Sequence, residues 1–447
     1  MTKDLRSFIA ELEARVPDDI ARVAQPIAPR YEITALLTRL EKRKQFPLLF
    51  CEKVQGSETA VVINAQASRR LMAMALQCDP RELARTFSER QEKPIPPVEM
   101  INAPVHEVLQ TGDEVDLSKV PILTHYDVNA APYITAGIVV AVDPDTGVRN
   151  TSYNRLMMAG KSELRIFMAV GRHLWTLHDK LERRNQPLPI AIVIGVHPLF
   201  SLGAQAFTPA TEDEYAVIGG MMGEPLRLVK AKTVPIQVPA DAEMIIEGEI
   251  LPHVRRTEGP FGEFTGHAVS QDERPVIKVT AITHRRGGIV EDFWPGHMDH
   301  WNLGSIPKEG SVYNVIKKNI PGIKGIHLAA SGCGRCICYI SIKKEFENEP
   351  NKAGMQAFVE MPNLKLAVIV DDDVDAFNER EVLWAVATRV HWDKDIEIIR
   401  EVQSFRGWLG DTVAIVDATI PLKSKSEWPA RNEIEPAAFE RVAKFFK

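Results

Sequence analysis

The chain has 447 residues, of which 45% are hydrophobic and 26% charged, so it is long enough to bury a large core in two or three domains. A net charge of -6 provides no broad basic surface for a phosphate backbone, so we expect no nucleic-acid partner. No apolar run reaches the roughly 20 residues that cross a bilayer, the N-terminus lacks an apolar signal region, and five cysteines do not make an even disulfide framework. We therefore expect a cytoplasmic protein without a membrane contact.

The first part of the chain, residues 1–107, alternates helical and strand-like patterns. Amphipathic stretches at 8–16 and 33–42 predict helices, and apolar runs at 47–51 and 60–63 predict strands. This pattern is typical of a small α/β unit, which ends near a proline-rich stretch.

The middle part, residues 108–300, is mostly strand-like. Apolar runs at 136–142, 190–196 and 276–283 predict strands of a barrel or sandwich. Helical patterns interrupt the strands at 174–184 and 212–222.

Beyond residue 300, helices alternate with strand-like runs at 336–342 and 364–370, which predicts a second α/β unit over 301–425. The charged segment 426–447 is expected to form a C-terminal helix.

The most informative short stretch is Glu258-Gly-Pro-Phe-Gly-Glu263, where two glycines and a proline predict a tight turn between two carboxylates. Two carboxylates in one pocket oppose each other's ionisation, so that one can hold a proton and act as a general acid. A solvated surface turn is the alternative.

Polar residues elsewhere suit a phosphate or a metal ion. Asn150 to Arg155 follow a hairpin turn, and Arg172-His173 stand at the start of a predicted helix, where free N–H groups favour an anion. Glu214 has a simpler interpretation, because Thr211-Glu-Asp-Glu214 is a capping box in which Glu214 would bond only the helix start. Together, an amide oxygen, an imidazole and a carboxylate suit a divalent ion.

Taken in order, these pieces resemble the signature of UbiD-type decarboxylases, which use prenylated FMN. The resemblance spans most of the chain, from Asn150 and Arg155 through the turn at 258–263. It also includes Lys161, residues 238–248, 371–375, 382–384 and 388–389.

The resemblance implies a fold and a set of site residues. The fold is a flavin-reductase-like split β-barrel flanked by N-terminal and C-terminal α/β units with a C-terminal helix, assembled as a homodimer or homohexamer. Asn150, His173 and Glu214 would bind a divalent ion, usually manganese, that bridges to the flavin phosphate. The residues expected to contact the flavin are Ser152, Tyr153, Asn154, Arg155 and Arg172. The backbone carbonyls of Ala204 and Ala206 would bind a potassium ion.

The resemblance also implies a reaction. The unsaturated carbon of an aromatic, heteroaromatic or α,β-unsaturated acid would attach covalently to the prenylated flavin before carbon dioxide leaves, with the flavin as electron sink. Arg155 would orient the substrate carboxylate, Glu258 would hold Arg155, and Glu263 would donate the proton. A separate flavin prenyltransferase would supply the cofactor.

Three features are open. The family often has a lysine near the flavin where this chain has Val413, which leaves a different contact, a shifted lysine such as Lys423 or Lys425, or altered cofactor maturation. Cys333, Cys336 and Cys338 lack a second cluster for four zinc ligands and are better explained as buried thiols. His297, Arg172 and Phe264 could border the substrate, and either of the first two could bind a second polar group on it.

Two other functions compete with decarboxylation. A split barrel with ordinary FMN could be a flavin reductase, although no glycine-rich dinucleotide fingerprint is evident. The chain could also be a non-catalytic subunit of a decarboxylase complex, which Val413 favours and the set Arg155, Glu258 and Glu263 disfavours.

Overall fold

The computed structural model describes residues 2–402, 410–432 and 434–445. Their helices are α1 (Leu5–Arg15), α2 (Glu32–Glu41), α3 (Arg69–Leu76), α4 (Leu83–Gln91), α5 (His173–Arg183), α6 (Pro198–Gly203), α7 (Glu214–Met222), α8 (Met298–Asn319), α9 (Glu349–Glu360), α10 (Glu379–Arg389) and α11 (Pro436–Val442).

The strands alternate with these helices at both ends of the chain and dominate its middle. They are β1 (Ile20–Val23), β2 (Leu48–Cys51), β3 (Ala60–Ile63), β4 (Val98–Glu99), β5 (Val108–Thr111), β6 (Tyr133–Ile134), β7 (Ile138–Val142), β8 (Arg149–Tyr153), β9 (Leu156–Met158), β10 (Glu163–Ile166), β11 (Leu188–Ile194), β12 (Arg227–Lys230), β13 (Gln237–Pro239), β14 (Met244–Glu258), β15 (Phe261–Gly262), β16 (Ala268–Val269), β17 (Asp272–His284), β18 (Ile289–Asp292), β19 (Ile323–Leu328), β20 (Ile337–Ile342), β21 (Leu366–Asp371), β22 (Ile396–Ile399) and β23 (Val413–Ala418).

The N-terminal α/β unit is confirmed, but its sheet is completed from further along the chain. The strand order is β1-β2-β3-β18, so the strand that follows the central barrel strands pairs in parallel with β3. Helix α1 begins at a capping box between Asp4 and Ser7, and it buries Leu5, Phe8 and Leu12, which share one face at helical spacing.

The central part is a curled, mainly antiparallel sheet with the order β6-β9-β10-β17-β14-β11-β7-β8, and β5 pairs with β17. Its longest pair is β14 with β17, and the register shifts between Ile250 and Arg255. Such an irregularity bends and twists a strand. Strand β14 ends at Glu258, which places this carboxylate at the end of the sheet.

The C-terminal α/β unit contains a sheet in the order β19-β20-β21-β23-β22. Strands β20, β21 and β23 are parallel, as the alternation of helix and strand predicts. The C-terminal helix is shorter than predicted: α11 covers Pro436–Val442 and a 3-10 turn follows it, since a proline starts a helix readily but interrupts one that runs through it. Residues 433, 446 and 447 of the predicted helix lie outside the described residues.

Helix α8 links the central sheet to the C-terminal unit. It runs for 22 residues from Met298 to Asn319 with Pro307 inside it, and one of its sides is buried. In the described part of the chain, no helix combines the length and the apolar character needed to cross a membrane.

Candidate active site

Arg155 joins the two glutamates of the predicted carboxylate turn. Its Nε and Nη2 donate to the two carboxylate oxygens of Glu258 at 2.9 and 2.8 Å, and its Nη1 donates to Oε1 of Glu263 at 2.7 Å. The hydroxyl of Tyr133 donates to Oε1 of Glu258 at 3.0 Å. The two carboxylates therefore share a guanidinium, rather than facing each other as the sequence alone suggested.

The turn that carries the glutamates depends on its glycines. Gly259 has a φ of +88°, a backbone conformation that favours glycine, and its bond to Pro260 is cis. A Cβ on Gly262 would lie 2.7 Å from Cε2 of Tyr126, which leaves room for no larger residue. The backbone N–H of Gly262 donates to Oδ1 of Asn129 at 3.0 Å. The contact of Gly262 with Tyr126 and its hydrogen bond to Asn129 thus help to fix the position of the next residue, Glu263.

Aromatic rings hold the guanidinium of Arg155 in place. Its Cζ lies 4.5 Å from the ring centre of Phe167 and 5.0 Å from that of Phe261. Burial lowers the pKa of Arg155, but the hydrogen bonds and charge of Glu258 and the charge of Glu263 outweigh it, so that the pKa is raised. Arg155 is consequently a fixed, permanent cation.

The structure brings Asn150, His173 and Glu214 together from three separate segments. Nδ2 of Asn150 donates to Oε1 of Glu214 at 2.9 Å, and Nδ1 of His173 lies 3.6 Å from the same oxygen. Nδ2 of Asn150 is 3.5 Å from Nδ1 of His173. The hydrogen bond and charge of Glu214 raise the pKa of His173, although burial opposes them.

Glu214 does not cap its own helix, so the capping-box interpretation of residues 211–214 was wrong. The N-cap is Asp213, whose side chain accepts from the N–H of Tyr215 at 3.1 Å. Glu214 is the first residue of α7, and its carboxylate points to β8 instead, where it accepts from the N–H and hydroxyl of Thr151. At this position a side chain projects back past the helix start, so it can reach a neighbouring strand.

These three side chains fit a divalent metal ion. Oδ1 of Asn150 is a buried oxygen that accepts no hydrogen bond, and it lies beside an imidazole and a carboxylate. An orphaned buried acceptor is costly unless a donor or a cation satisfies it. Among the described residues, no group of three or more His, Cys, Asp or Glu side chains is arranged for a metal. A metal bound by His173 and Glu214 would therefore take the amide oxygen of Asn150 as its third protein ligand.

The other predicted flavin-contacting residues lie close to this triad in the chain. Oγ of Ser152 donates to Oδ1 of Asn154 at 2.8 Å, and Nδ2 of Asn154 donates to the carbonyl of Phe167 at 3.0 Å. Arg172 is the N-cap residue of α5, as predicted, and His173 begins the helix. Further along, Ala204 follows α6 directly, and the N–H of Ala206 bonds to the carbonyl of the last residue of that helix.

The three residues predicted to border the substrate lie in different settings. Phe264 is buried next to Glu263, and its carbonyl accepts from Nε1 of Trp301 at 2.7 Å. His297 is the N-cap of α8 and stacks on Trp294 with ring centres 4.2 Å apart. Burial lowers its pKa to about 4, and neither ring nitrogen has a hydrogen bond within the described structure. Arg172 is exposed.

Val413, at the position expected to carry a lysine, is the first residue of β23 and packs in the apolar core of the C-terminal sheet. Lys425 lies 3.9 Å from Oδ1 of Asp371, and the side chain of Lys423 is exposed. The role of Val413 toward the flavin stays a prediction.

Cys338 is buried, and Cys333 and Cys336 are half-buried. Burial raises the pKa of each thiol, which disfavours the thiolate that a metal needs.

Sequence reasoning missed the partners that hold the site residues. Tyr133 lies on the short strand β6 outside any motif, and Thr151 lies on β8 within the Asn150 to Arg155 segment but was given no role. The packing of distant segments brings the hydroxyl of Tyr133 to Glu258 and that of Thr151 to Glu214, so no local signal could have identified these contacts.

Comparison with known proteins covers nearly the whole chain. Models of the UbiD 3-octaprenyl-4-hydroxybenzoate carboxy-lyase match its N-terminal domain at residues 9–91, its Rift-related domain at 97–298 and its C-terminal domain at 301–406. Anhydromevalonate phosphate decarboxylase of Methanothermobacter thermautotrophicus is 33% identical over 95% of this chain and 98% of its own.

Two solved structures share the same fold. An evolved dimeric form of the UbiD-class enzyme HmfF from Pelotomaculum thermopropionicum, in complex with prenylated FMN (prFMN), has a TM-score of 0.92 at 36% identity and covers 100% of both chains. The 3,4-dihydroxybenzoic acid decarboxylase AroY of Klebsiella pneumoniae has a TM-score of 0.91 at 26% identity, again over 100% of both chains.

Proposed function

The chain belongs to the UbiD family of carboxy-lyases, and from this membership we propose that it catalyses the reversible, non-oxidative decarboxylation of an aromatic, heteroaromatic or α,β-unsaturated acid. The observation that carries the proposal is the buried cluster in which Arg155 bonds both Glu258 and Glu263. A flavin reductase has no use for this cluster, and a non-catalytic subunit has no need to retain it.

Prenylated FMN, when bound, supplies an electron sink for the bond that breaks as carbon dioxide leaves. The protein's part begins with Arg155. Three of its five N–H groups bond Glu258 and Glu263 within the described structure, and the other two can bind the substrate carboxylate. Glu258 keeps this guanidinium in a fixed orientation.

Glu263 is the proposed proton donor. Loss of carbon dioxide leaves an electron pair on carbon, and one proton must replace the carboxyl group. Glu263 delivers that proton and recovers one from solvent, which requires its carboxyl to be protonated before the step. Both Glu263 and its neighbour Phe264 are buried. In the reverse direction the same carboxylate removes the proton.

The cofactor would be held through its phosphate. Asn150, His173 and Glu214 would bind a divalent ion such as manganese, whose charge would stabilise the flavin phosphate. The start of α5 adds backbone N–H groups that favour an anion. Around the flavin we propose Ser152, Tyr153, Asn154 and Arg172, with potassium at the carbonyls of Ala204 and Ala206.

The wider setting is part of the same proposal. We place domain boundaries near residues 107, 300 and 425, a homodimer or homohexamer as the assembly, the cytoplasm as the location and a flavin prenyltransferase as the source of the cofactor. His297 keeps its predicted substrate contact as a proposal. One relative is named for a phosphorylated acid and another for a dihydroxybenzoic acid, so the substrate of this chain is to be identified by experiment.

The test is carbon dioxide release from a panel of aromatic, heteroaromatic and unsaturated acids by protein co-expressed with a flavin prenyltransferase. Glu263→Gln is expected to abolish turnover, while Glu273→Gln, an exposed glutamate of β17, serves as the matched control. Protein made without the prenyltransferase is expected to be inactive. Turnover that persists in Glu263→Gln would contradict the assigned proton donor.

A second experiment concerns the metal. Glu214→Gln removes a charged ligand and is expected to lower both the manganese content, measured by elemental analysis, and the bound flavin, measured by absorbance. Glu212→Gln, an exposed neighbour, is expected to change neither. Full metal content in Glu214→Gln would show that the ion binds elsewhere.

A further inference from the structure

One face of helix α8 carries His300, Gly304 and Lys308 at intervals of four residues, which places them in a row. Nζ of Lys308 donates to the carbonyl of Gly304 at 3.0 Å. The guanidinium of Arg335 lies over the α-carbon of the same glycine, with Cζ 2.7 Å from the place that a Cβ would occupy. Gly304 therefore lets two cations from different elements approach each other.

Arg335 reaches this position through the cysteine-containing turn between β19 and β20. Cys333 and Gly334 have φ values of +55° and +62°, so the chain turns sharply just before Arg335. A Cβ on Gly334 would lie 2.9 Å from the carbonyl oxygen of Trp301, so the turn packs directly on α8. The Cys-Gly-Arg-Cys segment thus places the guanidinium of Arg335 against helix α8, a structural role that involves no metal.

The two cations border the proposed reaction site. Cζ of Arg335 lies 4.8 Å from the ring centre of Phe264, which directly follows Glu263. Nζ of Lys308 lies 5.3 Å from the ring centre of Phe207, which directly follows Ala206. Each cation therefore contacts a residue adjacent in the chain to a proposed site residue: Arg335 beside the proton donor, and Lys308 beside the segment proposed to bind potassium.

Lys308 is buried near two other positively charged side chains, Arg335 and Arg172. Burial lowers the pKa of Lys308 well below its usual value, and the charges of Arg335 and Arg172 lower it further. Burial also lowers the pKa of His300, with further contributions from Arg335 and Lys308. Nζ of Lys308 bonds the carbonyl of Gly304, and no carboxylate of the described residues contributes to its pKa. An anion between these side chains would relieve the repulsion and restore the charge of Lys308.

We propose that Lys308 and Arg335 bind a second anionic group of the substrate. The substrate is then an aromatic or unsaturated acid with two anionic groups: Arg155 binds the carboxylate that is lost, and Lys308 and Arg335 bind a carboxylate or phosphate that is retained. This inference rests on the proposed decarboxylation for its reaction and adds the substrate class. Arginine and lysine together suit either anion, since arginine offers paired donors and lysine a point charge.

The experiment compares acids that differ only in the second anion. Terephthalate is paired with 4-methylbenzoate, trans,trans-muconate with sorbate, and 4-carboxyphenyl phosphate with 4-methoxybenzoate. Binding of each to the holoenzyme is measured by calorimetry, and KM is measured for any acid that is turned over. The variants are Lys308→Met and Arg335→Met, with Lys318→Met as the control because this lysine lies on the same helix but is exposed. Bound flavin per chain is recorded for every protein.

The expected result is that wild-type protein binds the acid with two anionic groups at least about tenfold more tightly than its partner, because hydrogen bonds between charged groups are among the strongest. That preference should fall about tenfold in Lys308→Met and in Arg335→Met and persist in Lys318→Met, with flavin content unchanged. The phosphate and carboxylate pairs show which anion the subsite prefers.

Equal binding of both members of every pair by wild-type protein would overturn the inference even if one variant failed to fold. So would a loss of flavin in both variants with the preference intact, which would assign the cations to the cofactor phosphate. Preference for two anionic groups without carbon dioxide release from any acid would reject the proposed reaction and retain the subsite. Release of carbon dioxide without that preference would reject the subsite alone.

Discussion

Arg155 donates two parallel hydrogen bonds to Glu258, at 2.9 and 2.8 Å, across a separation of 103 residues in the sequence. The carboxylate is fully buried and the guanidinium nearly so. Such a paired contact fixes both the position and the plane of the arginine. Glu263, which bonds the remaining terminal nitrogen, is aligned by the same guanidinium.

Arg155→Lys is expected to lower kcat at least about a hundredfold, because a lysine keeps the charge but cannot bond Glu258 at two points, and small misplacements at a reacting centre carry penalties of this size. The measurement is kcat with the panel acid that the wild-type protein turns over, together with bound flavin. Arg256→Lys, at an exposed position of β14, is the control and should retain activity. Activity within a few-fold of wild type in Arg155→Lys would remove the paired contact from the mechanism.

Tyr133→Phe removes the hydroxyl that donates to Glu258 at 3.0 Å. We expect a loss of about 1 kcal/mol in the free energy of unfolding, as for a typical hydrogen bond, with a several-fold fall in kcat and little change in KM. The reason is that Glu258 keeps both bonds to Arg155 but loses the donor on its other side.

Tyr339→Phe provides the matched control for this change. Its hydroxyl donates to Glu379 at 2.7 Å in the C-terminal unit, so a similar loss of stability is expected with kcat unchanged. Equal falls in kcat for the two variants would mean that Tyr133 acts only through stability.

Gly262→Ala is expected to destabilise the protein by about 1–3 kcal/mol, because the added methyl group meets the ring of Tyr126 and the core must shift. The shift moves Glu263, the next residue, so decarboxylation should fall more than the loss of stability explains. Thermal unfolding and kcat are measured together.

The control for this change is Gly160→Ala, where the nearest heavy atom to an added Cβ is 3.9 Å away. It should change neither quantity appreciably. Normal stability and activity in Gly262→Ala would contradict the prediction, because they would show that the turn accommodates the methyl group without moving Glu263.

Glu309 provides a test by pH. Burial raises the pKa of this carboxyl, but the charge and hydrogen bonds of Arg69 and His327 outweigh it, and the pKa is lowered to about 2. Because the folded protein binds the proton more weakly than the unfolded chain, the stabilisation is complete above about pH 4.5 and is lost as the pH falls towards 2. The amount lost is about 3 kcal/mol.

Glu309→Gln is therefore expected to be less stable at pH 7 and to show a shallower loss of stability between pH 4.5 and 2 than wild type, measured by denaturant unfolding. Glu345→Gln, at an exposed position, should follow the wild-type curve. A Glu309→Gln protein with the wild-type pH dependence would assign the acid sensitivity to other carboxyls.

Much of the fold and several site positions follow from local sequence rules. Alternating apolar runs and helical spacing identify the α/β ends and the strand-rich middle. The glycines and proline at 259–262 determine the turn between Glu258 and Glu263, and His173 begins its helix as expected. These features depend on backbone preferences of a few neighbouring residues, and such preferences can be read from the sequence alone.

The contacts across the chain were decided by tertiary structure. Strand β18 completes the N-terminal sheet, and Val413 packs into the apolar core of the C-terminal sheet. Glu214 bonds Thr151 rather than its own helix, and Lys308 meets Arg335 over Gly304. The direction in which a side chain points and the charge that it meets depend on how distant segments pack. A single sequence carries the residue types of such a site but not the distances between them.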